Sequence, residues 1–375
     1  MDQKKGAGHH AITRESARQL FQSRAVDGQV DGMDFEQFYA ALDEGQEHAD
    51  RTPLDSPLDP GDTWKPYWAD PDAQRRHSMA DPALSGEENL EAVKGFVTGQ
   101  LDDAKSAHDA LRNFDTLDTN RDSFLSPEEL EQGAQKGVLQ GRAASYLKTN
   151  TGDLEELSND EWGDENDGVT KADLQKAEMR NLGAATHALE DSYSNAHMFR
   201  DTSDPADPHA PVEALNVFNP TDDETLGAAA GGALAGAAVG SIIPGLGTAA
   251  GAIVGGIVGG IAGMVAGDDM GTHDKRFDEV PVDAEGNLTR SSDQAAAAAS
   301  AEMLGDYYAH RDEGEASAHS SFDSTVSSFY QPSSEGVKVY QDNDDPNWQR
   351  ERDERLNPQS PMGDYPAPSE DAAFG

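Results

Sequence analysis

The 375-residue chain contains no cysteine, so disulfide staples and thiolate metal sites are both excluded. Basic residues are few: 28 Lys and Arg stand against 71 Asp and Glu, a formal net charge of −43. Such a field repels nucleic-acid phosphate and anionic headgroups at long range, and no nucleic-acid partner is expected. It suits a protein living in salt or calcium, or one whose partner is basic or zwitterionic; plain solubility is the competing reading. The opening residues MDQKKGAGHHAITRES hold no apolar run. A Sec-type leader is therefore not expected, and export would follow a leaderless route. Period-two runs of apolar residues are also missing, which leaves a mainly α fold.

Helical spacing of apolar residues is present over 11–23, 34–43, 87–113, 127–139, 142–148, most of 171–199, and 292–311. Residues 49–84 are rich in Pro, Asp and aromatics and read as an ordered loop with short turns. From about 331 to 375 the polar, Pro- and Asp-dotted chain is expected to be poorly ordered.

The densest group of metal-binding residue types runs from His187 to Glu213, with the pattern His187-x3-Asp191-x5-His197 followed by His209-x3-Glu213. A spacing of four sets His187 and Asp191 one turn apart on a helix face, and predicts the same for His209 and Glu213. Imidazole and carboxylate are what zinc or a similar divalent ion takes when no thiolate is available. The His9-His10 pair, His77, and Asp62 fifteen residues before it add further candidates.

This pattern resembles the zinc-dependent phospholipase C and single-strand nuclease superfamily, over most of residues 8–225. That family is all-helical and holds three zinc ions in a cleft. The resemblance implies one zinc held by Asp62, His77, His187 and Asp191, and a second by His197, His209 and Glu213. The third would share Asp191 with the N-terminal histidine, His9 or His10. Asp62 would assist as general base toward a metal-activated water that attacks a phosphodiester. One departure stands out: the family's mature N-terminal tryptophan has no counterpart, the first here being Trp64. Trp64, Tyr67 and Trp68 beside Asp62 suit either a cation–π pocket for a choline headgroup or simple packing of the loop.

Residues 118–129, DTNRDSFLSPEE, read as an EF-hand loop. Asp118, Asn120 and Asp122 take positions 1, 3 and 5, the Phe124 carbonyl position 7, Ser126 position 9 and Glu129 the bidentate position 12. Ser123 replaces the usual glycine at position 6, and Leu125 is the apolar residue that would pair two loops. Near GDENDGVTKADL, Asp164, Asn166, Asp167 and Asp173 stand at a spacing one residue short of the standard loop, which reads either as a shortened partner calcium site or as an acidic turn. A third echo, VDGQVDGMDFEQF, has Gln37 at the glutamate position and reads as a degenerate hand with a structural, pairing role rather than a calcium-binding one.

From Leu226 to Gly267 there is no charged residue, and Pro244 splits the Gly/Ala-rich run into two arms. Its small-xxx-small spacing resembles the glycine-zipper hairpins of bacterial toxins and effectors, read either as membrane-contacting or as a buried helical pair. The expected layout is a zinc-phospholipase-C-like helical domain over 1–225 with an EF-hand insert at 87–180. The hairpin at 226–267, a helical part at 268–330 and the tail at 331–375 follow. The expected function is a secreted, membrane-active, zinc- and calcium-binding phosphodiesterase acting on phospholipid bilayers, with a secretion apparatus or chaperone shielding the hairpin. A nuclease of the same superfamily and a non-enzymatic membrane-perforating toxin are the alternatives.

Overall fold

A computed structural model describes residues 7–51, 85–155, 157, 168–194, 197–201, 203–204, 206–217 and 280–341. Eight helices and three short strands make up these parts, so the chain is mainly α, as its periodicity predicts. In chain order the helices are α1 (Ala7–Arg24), α2 (Phe35–Arg51), α3 (Gly86–Leu117), α4 (Pro127–Gln135), α5 (Gly141–Glu155), α6 (Lys171–Asp191), α7 (Ser291–His310) and α8 (Glu315–Phe329).

Several helix starts are written locally. Ser85 and Glu88 form a capping box before α3, Ser126 and Glu129 before α4, and Thr170 and Asp173 before α6. Each side chain satisfies a backbone N–H that the first turn leaves open, which contributes about 1 kcal/mol per cap. Asp34 and Gln37 do the same for α2, with reciprocal bonds of 2.9 and 3.1 Å.

Two apolar cores share two helices. Leu90, Val93, Val97 and Leu101 of α3 join Leu182, Ala185 and Leu189 of α6 in a large core with α1, α2, α7 and α8. Phe114 and Leu117 of α3 and Leu174 and Ala177 of α6 enter a second core with Leu125, Leu130 and Leu147. Helices α3 and α6 thus run unbroken from one core into the other. The part after the glycine-rich run likewise shares the large core, through Met303, Leu304, Tyr307, Phe322 and Phe329. Helices α2 and α6 cross with backbones in contact: a Cβ on Gly183 would meet Gly45 C at 2.6 Å and Gln46 N at 2.7 Å.

The strands correct two expectations. Helix α6 stops at Asp191, and β1 (Met198–Arg200) follows where helix was expected to continue to 199. The strand β2 (Val212–Val217) pairs antiparallel with β1 and parallel with β3 (Lys338–Gln341), in the order β1-β2-β3. Residues 338–341 are therefore ordered strand inside the stretch expected to be poorly ordered; 342–375 lie outside the described residues. The third echo takes the form of local turns. Asp27, Gly28, Asp31 and Gly32 all have positive φ (53°, 79°, 57° and 77°), giving two successive tight turns closed by the Val26–Gln29 and Val30–Met33 bridges.

Candidate metal centre

Helix α3 ends by handing Asp118 to the loop that precedes α4. Asp118 Oδ1 accepts the Arg121 N–H at 2.6 Å and Oδ2 the Ser123 N–H at 3.0 Å. Asp122 Oδ1 accepts the Phe124 N–H at 3.0 Å, while Asn120 Oδ1 accepts the Asp122 N–H at 2.9 Å. Arg121 and Ser123 sit at φ 64° and 76°, the left-handed region that carries the chain around the turn. Glu129 reaches back from α4, accepting the Thr119 and Asn120 N–H groups at 2.8 and 3.2 Å through Oε1, and Ser126 N–H at 3.1 Å through Oε2. Burial works against its charge, but the Ser126, Thr119 and Asn120 donors outweigh it and hold the Glu129 pKa below the usual carboxylate range.

The side chains of Asp118, Asp122 and Glu129 each offer an oxygen within 4.8 Å of the others. Among the described residues this is the one group of three or more His, Asp or Glu that could hold a metal ion. With the Phe124 carbonyl and the Asn120 amide in the same loop, the donor set is all oxygen, which fits calcium. Leu125 and Val169 exchange N–H···O bonds of 2.8 and 3.1 Å, so the loop pairs with the start of α6 as expected of a partner loop. Asp173 serves that start as a cap, while Asp164, Asn166 and Asp167 lie outside the described residues.

The histidine-rich pattern is only partly brought together. His187 and Asp191 lie on α6 as predicted, with His187 Nε2 3.4 Å from Asp191 Oδ2 and both side chains buried. His197 falls in the turn between α6 and β1, its N–H bonded to Ser194 O at 3.0 Å. His209 lies outside any helix, stacks on Phe329 at 5.3 Å and meets Glu302 at 3.3 Å. Glu213 belongs to β2, beside the register step where Phe199 faces Ala214 and Arg200 faces Val212. The expected helical pairing of His209 with Glu213 is thus overturned. Pro208 and Pro211 flank His209, and proline both lacks a donor and biases the residue before it toward extended backbone. His187, Asp191, His197, His209 and Glu213 do not contribute three members to one ligand cluster.

His10 on α1 pairs through Nδ1 with Asp43 on α2, and His9 is its neighbour on the same helix. Asp62, His77, Trp64, Tyr67 and Trp68 lie outside the described residues. Spacing rules passed over a buried network at this end of α6. Glu190 Oε2 accepts from Thr13 Oγ1 and Gln46 Nε2, both at 3.2 Å, and Thr13 also bonds Gln46 at 2.7 Å. A carboxylate on the apolar face of a helix is the signal that could have marked Glu190.

No family model matches the chain, and neither a curated protein nor a solved structure does.

Proposed function

We propose that the chain is a calcium-binding helical protein, with one ion taken by Asp118, Asn120, Asp122, the Phe124 carbonyl and Glu129. The convergence of the Asp118, Asp122 and Glu129 oxygens within 4.8 Å carries this reading. Calorimetric titration of the full chain with calcium tests it. The wild type is expected to bind and Glu129→Gln to lose at least about tenfold in affinity, since the bidentate ligand of the loop is removed. No heat of binding in the wild type would sink the reading.

A second reading rests on a different observation, the docking of α1 onto the C-terminal end of α6 through Thr13 and Glu190. It brings the helix of His9 and His10 to the end of the helix that carries His187 and Asp191, as a zinc phosphodiesterase of the phospholipase C type would need. On this reading Asp62, His77, His187 and Asp191 hold zinc, which when bound polarises a phosphoryl oxygen and lowers the pKa of a bound water. Asp62 would take up the water's proton, and Trp64, Tyr67 and Trp68 would receive a choline headgroup. No step is assigned to a second ion at His197, His209 and Glu213, because those side chains are not gathered into a ligand cluster.

The glycine-rich residues 226–267 would bring such an enzyme to a phospholipid bilayer, with a chaperone covering them beforehand. Those residues lie outside the described ones, among which no helix is long and apolar enough to cross a membrane. Metal analysis of the wild type and of His187→Ala tests the zinc assignment, with loss of zinc expected in the variant. Hydrolysis of phosphatidylcholine and single-stranded DNA, measured side by side, separates lipase from nuclease. Lysis undiminished in Asp191→Asn would favour a membrane-perforating protein instead.

A further inference from the structure

Between the two apolar cores lies a layer of buried charge. Glu178 follows Ala177, the last α6 residue in the smaller core, and precedes Met179 of the larger one. It is 1% exposed and accepts from Arg311 Nη1 at 2.7 Å and Tyr307 Oη at 2.8 Å, with His108 Nδ1 at 3.4 Å. His108 stands at the matching level of α3, just past Ala107, and its Nε2 meets Asp312 at 3.1 Å. Arg311 continues to Asp31 in the tight-turn segment at 2.7 and 2.9 Å, while Arg112 of α3 holds Asp312 at 2.7 Å. Lys105 Nζ, itself paired with Asp109, donates to the Arg311 carbonyl at 3.0 Å.

The position of this layer matters because α3 leads into the candidate calcium loop and α6 leads out of its partner. Calcium filling of paired loops in sensor proteins changes the angle between the helices that flank them. Here such a change must alter the separation of α3 and α6 where His108 and Glu178 face each other. Those two residues also fasten the corner between α7 and α8 through Arg311 and Asp312. We propose that the His108–Glu178–Arg311 cluster is a joint that couples calcium occupancy of the Asp118–Glu129 loop to the seating of the α7–α8 corner on the bundle.

The inference rests on the calcium reading and adds a relationship that reading does not require. Coupling is reciprocal, so a change in the joint must change calcium affinity although no joint residue touches the loop. The experiment is calcium titration of the full-length wild type, Glu178→Gln and Gly183→Ala, the last a packing defect on the same helix α6 that presses on the α2 backbone at Gly45 and Gln46 and alters no charged group of the joint. Glu178→Gln is expected to shift the calcium dissociation constant by about fivefold or more, within the usual range of coupled sites, and Gly183→Ala by less than about twofold. In the wild type, nuclear magnetic resonance titration of His108 is expected to give different midpoints with and without calcium. The charged groups around its ring are Glu178, Asp312, Arg311, Arg112 and Asp31, and none of them is a candidate calcium ligand. That measurement decides the matter if Glu178→Gln does not fold. Equal affinities together with an unmoved His108 midpoint would overturn the joint and leave calcium binding intact. A wild type that binds no calcium would overturn both.

Discussion

Leu125 and Val169, 44 positions apart, exchange both backbone hydrogen bonds and so tie the candidate calcium loop to the start of α6. The bond pair has a steric condition. Gly168, just before Val169, has φ +109°, and a Cβ there would stand 2.9 Å from the Leu125 carbonyl oxygen. Gly168→Ala is therefore expected to lose about 1–3 kcal/mol, from backbone strain and from a weakened bridge. Urea unfolding of the full chain measures it, and a loss under about 0.5 kcal/mol would show that the bridge does not constrain the loop.

Ser123 occupies the left-handed position of the same loop at φ 76°, where an L side chain costs roughly 1–2 kcal/mol that glycine avoids. Ser123→Gly is expected to stabilise the folded chain by up to about 1 kcal/mol, since the left-handed backbone at Ser123 belongs to the folded loop and glycine adopts it without that strain. Urea unfolding beside the wild type reads the change. A destabilised variant would mean that glycine's extra entropy in the unfolded chain outweighs the relieved strain.

The legible parts of this chain are those whose determinants are local. The capping pairs Ser85–Glu88 and Ser126–Glu129, and the apolar stripe of α3, announce their helices within a few residues. The candidate calcium loop is legible for the same reason, because the residues that could hold an ion fall within twelve positions and Leu125 marks the pairing position. By contrast, β2 takes its hydrogen bonds from residues 198–200 on one side and 338–341 on the other, which no window over VEALNV contains. Helix α8 falls inside the helical part expected over 268–330, but serines crowd its buried row of Ala318, Phe322, Val326 and Phe329 and blur its bounds in the sequence. His209 and Glu213 share a helical spacing but not a helix, because Pro211 falls between them and Glu213 belongs to β2. Glu178 meets His108 and Arg311 from 70 and 133 positions away, and its role is a property of the fold alone.

Gly45 and Gly183 predict a packing effect. A methyl group on Gly183 meets backbone atoms of α2 at 2.6 and 2.7 Å, and backbone cannot turn aside as a side chain would. Gly183→Ala is expected to destabilise the bundle by about 1–3 kcal/mol, the range for overpacking, despite the better helix propensity of alanine. Urea unfolding checks the sign: a stabilised variant would mean that the crossing opens without penalty.

The joint cluster predicts stability limbs of opposite sign. Hydrogen bonding to Arg311 holds the Asp31 pKa below the ordinary carboxylate value. Its contribution is in place above that ordinary value and is lost as pH falls through the depressed folded one. For His108, burial pulls the pKa down, but the Glu178 and Asp312 contacts outweigh it and the net shift is upward. Its contribution is in place below the ordinary imidazole value and fades as pH rises through the raised one. Urea unfolding across pH should therefore show Asp31→Asn flattening the acid limb alone and His108→Gln the neutral-to-alkaline limb alone. Identical effects of both variants at every pH would contradict the assignment.

Arg200 makes the last prediction. Its buried guanidinium donates to the Ser192, Ala210 and Phe329 carbonyls at 3.1, 3.0 and 2.6 Å, and lies 4.0 Å from the Tyr193 ring centroid. One side chain thereby joins the end of α6, the approach to β2 and the end of α8, and it meets the exposed carbonyls at two helix C-termini, where positive charge is favoured. Arg200→Ala would leave three carbonyls without this donor, and a loss on the order of 3 kcal/mol is expected. Arg200→Lys should recover only part of it, because a single ammonium cannot span the fork that a planar guanidinium spans. Ser192 follows Asp191 directly, so the zinc reading adds a separate consequence: Arg200→Lys, folded but misaligned at this end of α6, should hold zinc more weakly than the wild type. Full zinc retention in a folded Arg200→Lys protein would show that Arg200 braces the fold without setting the position of Asp191.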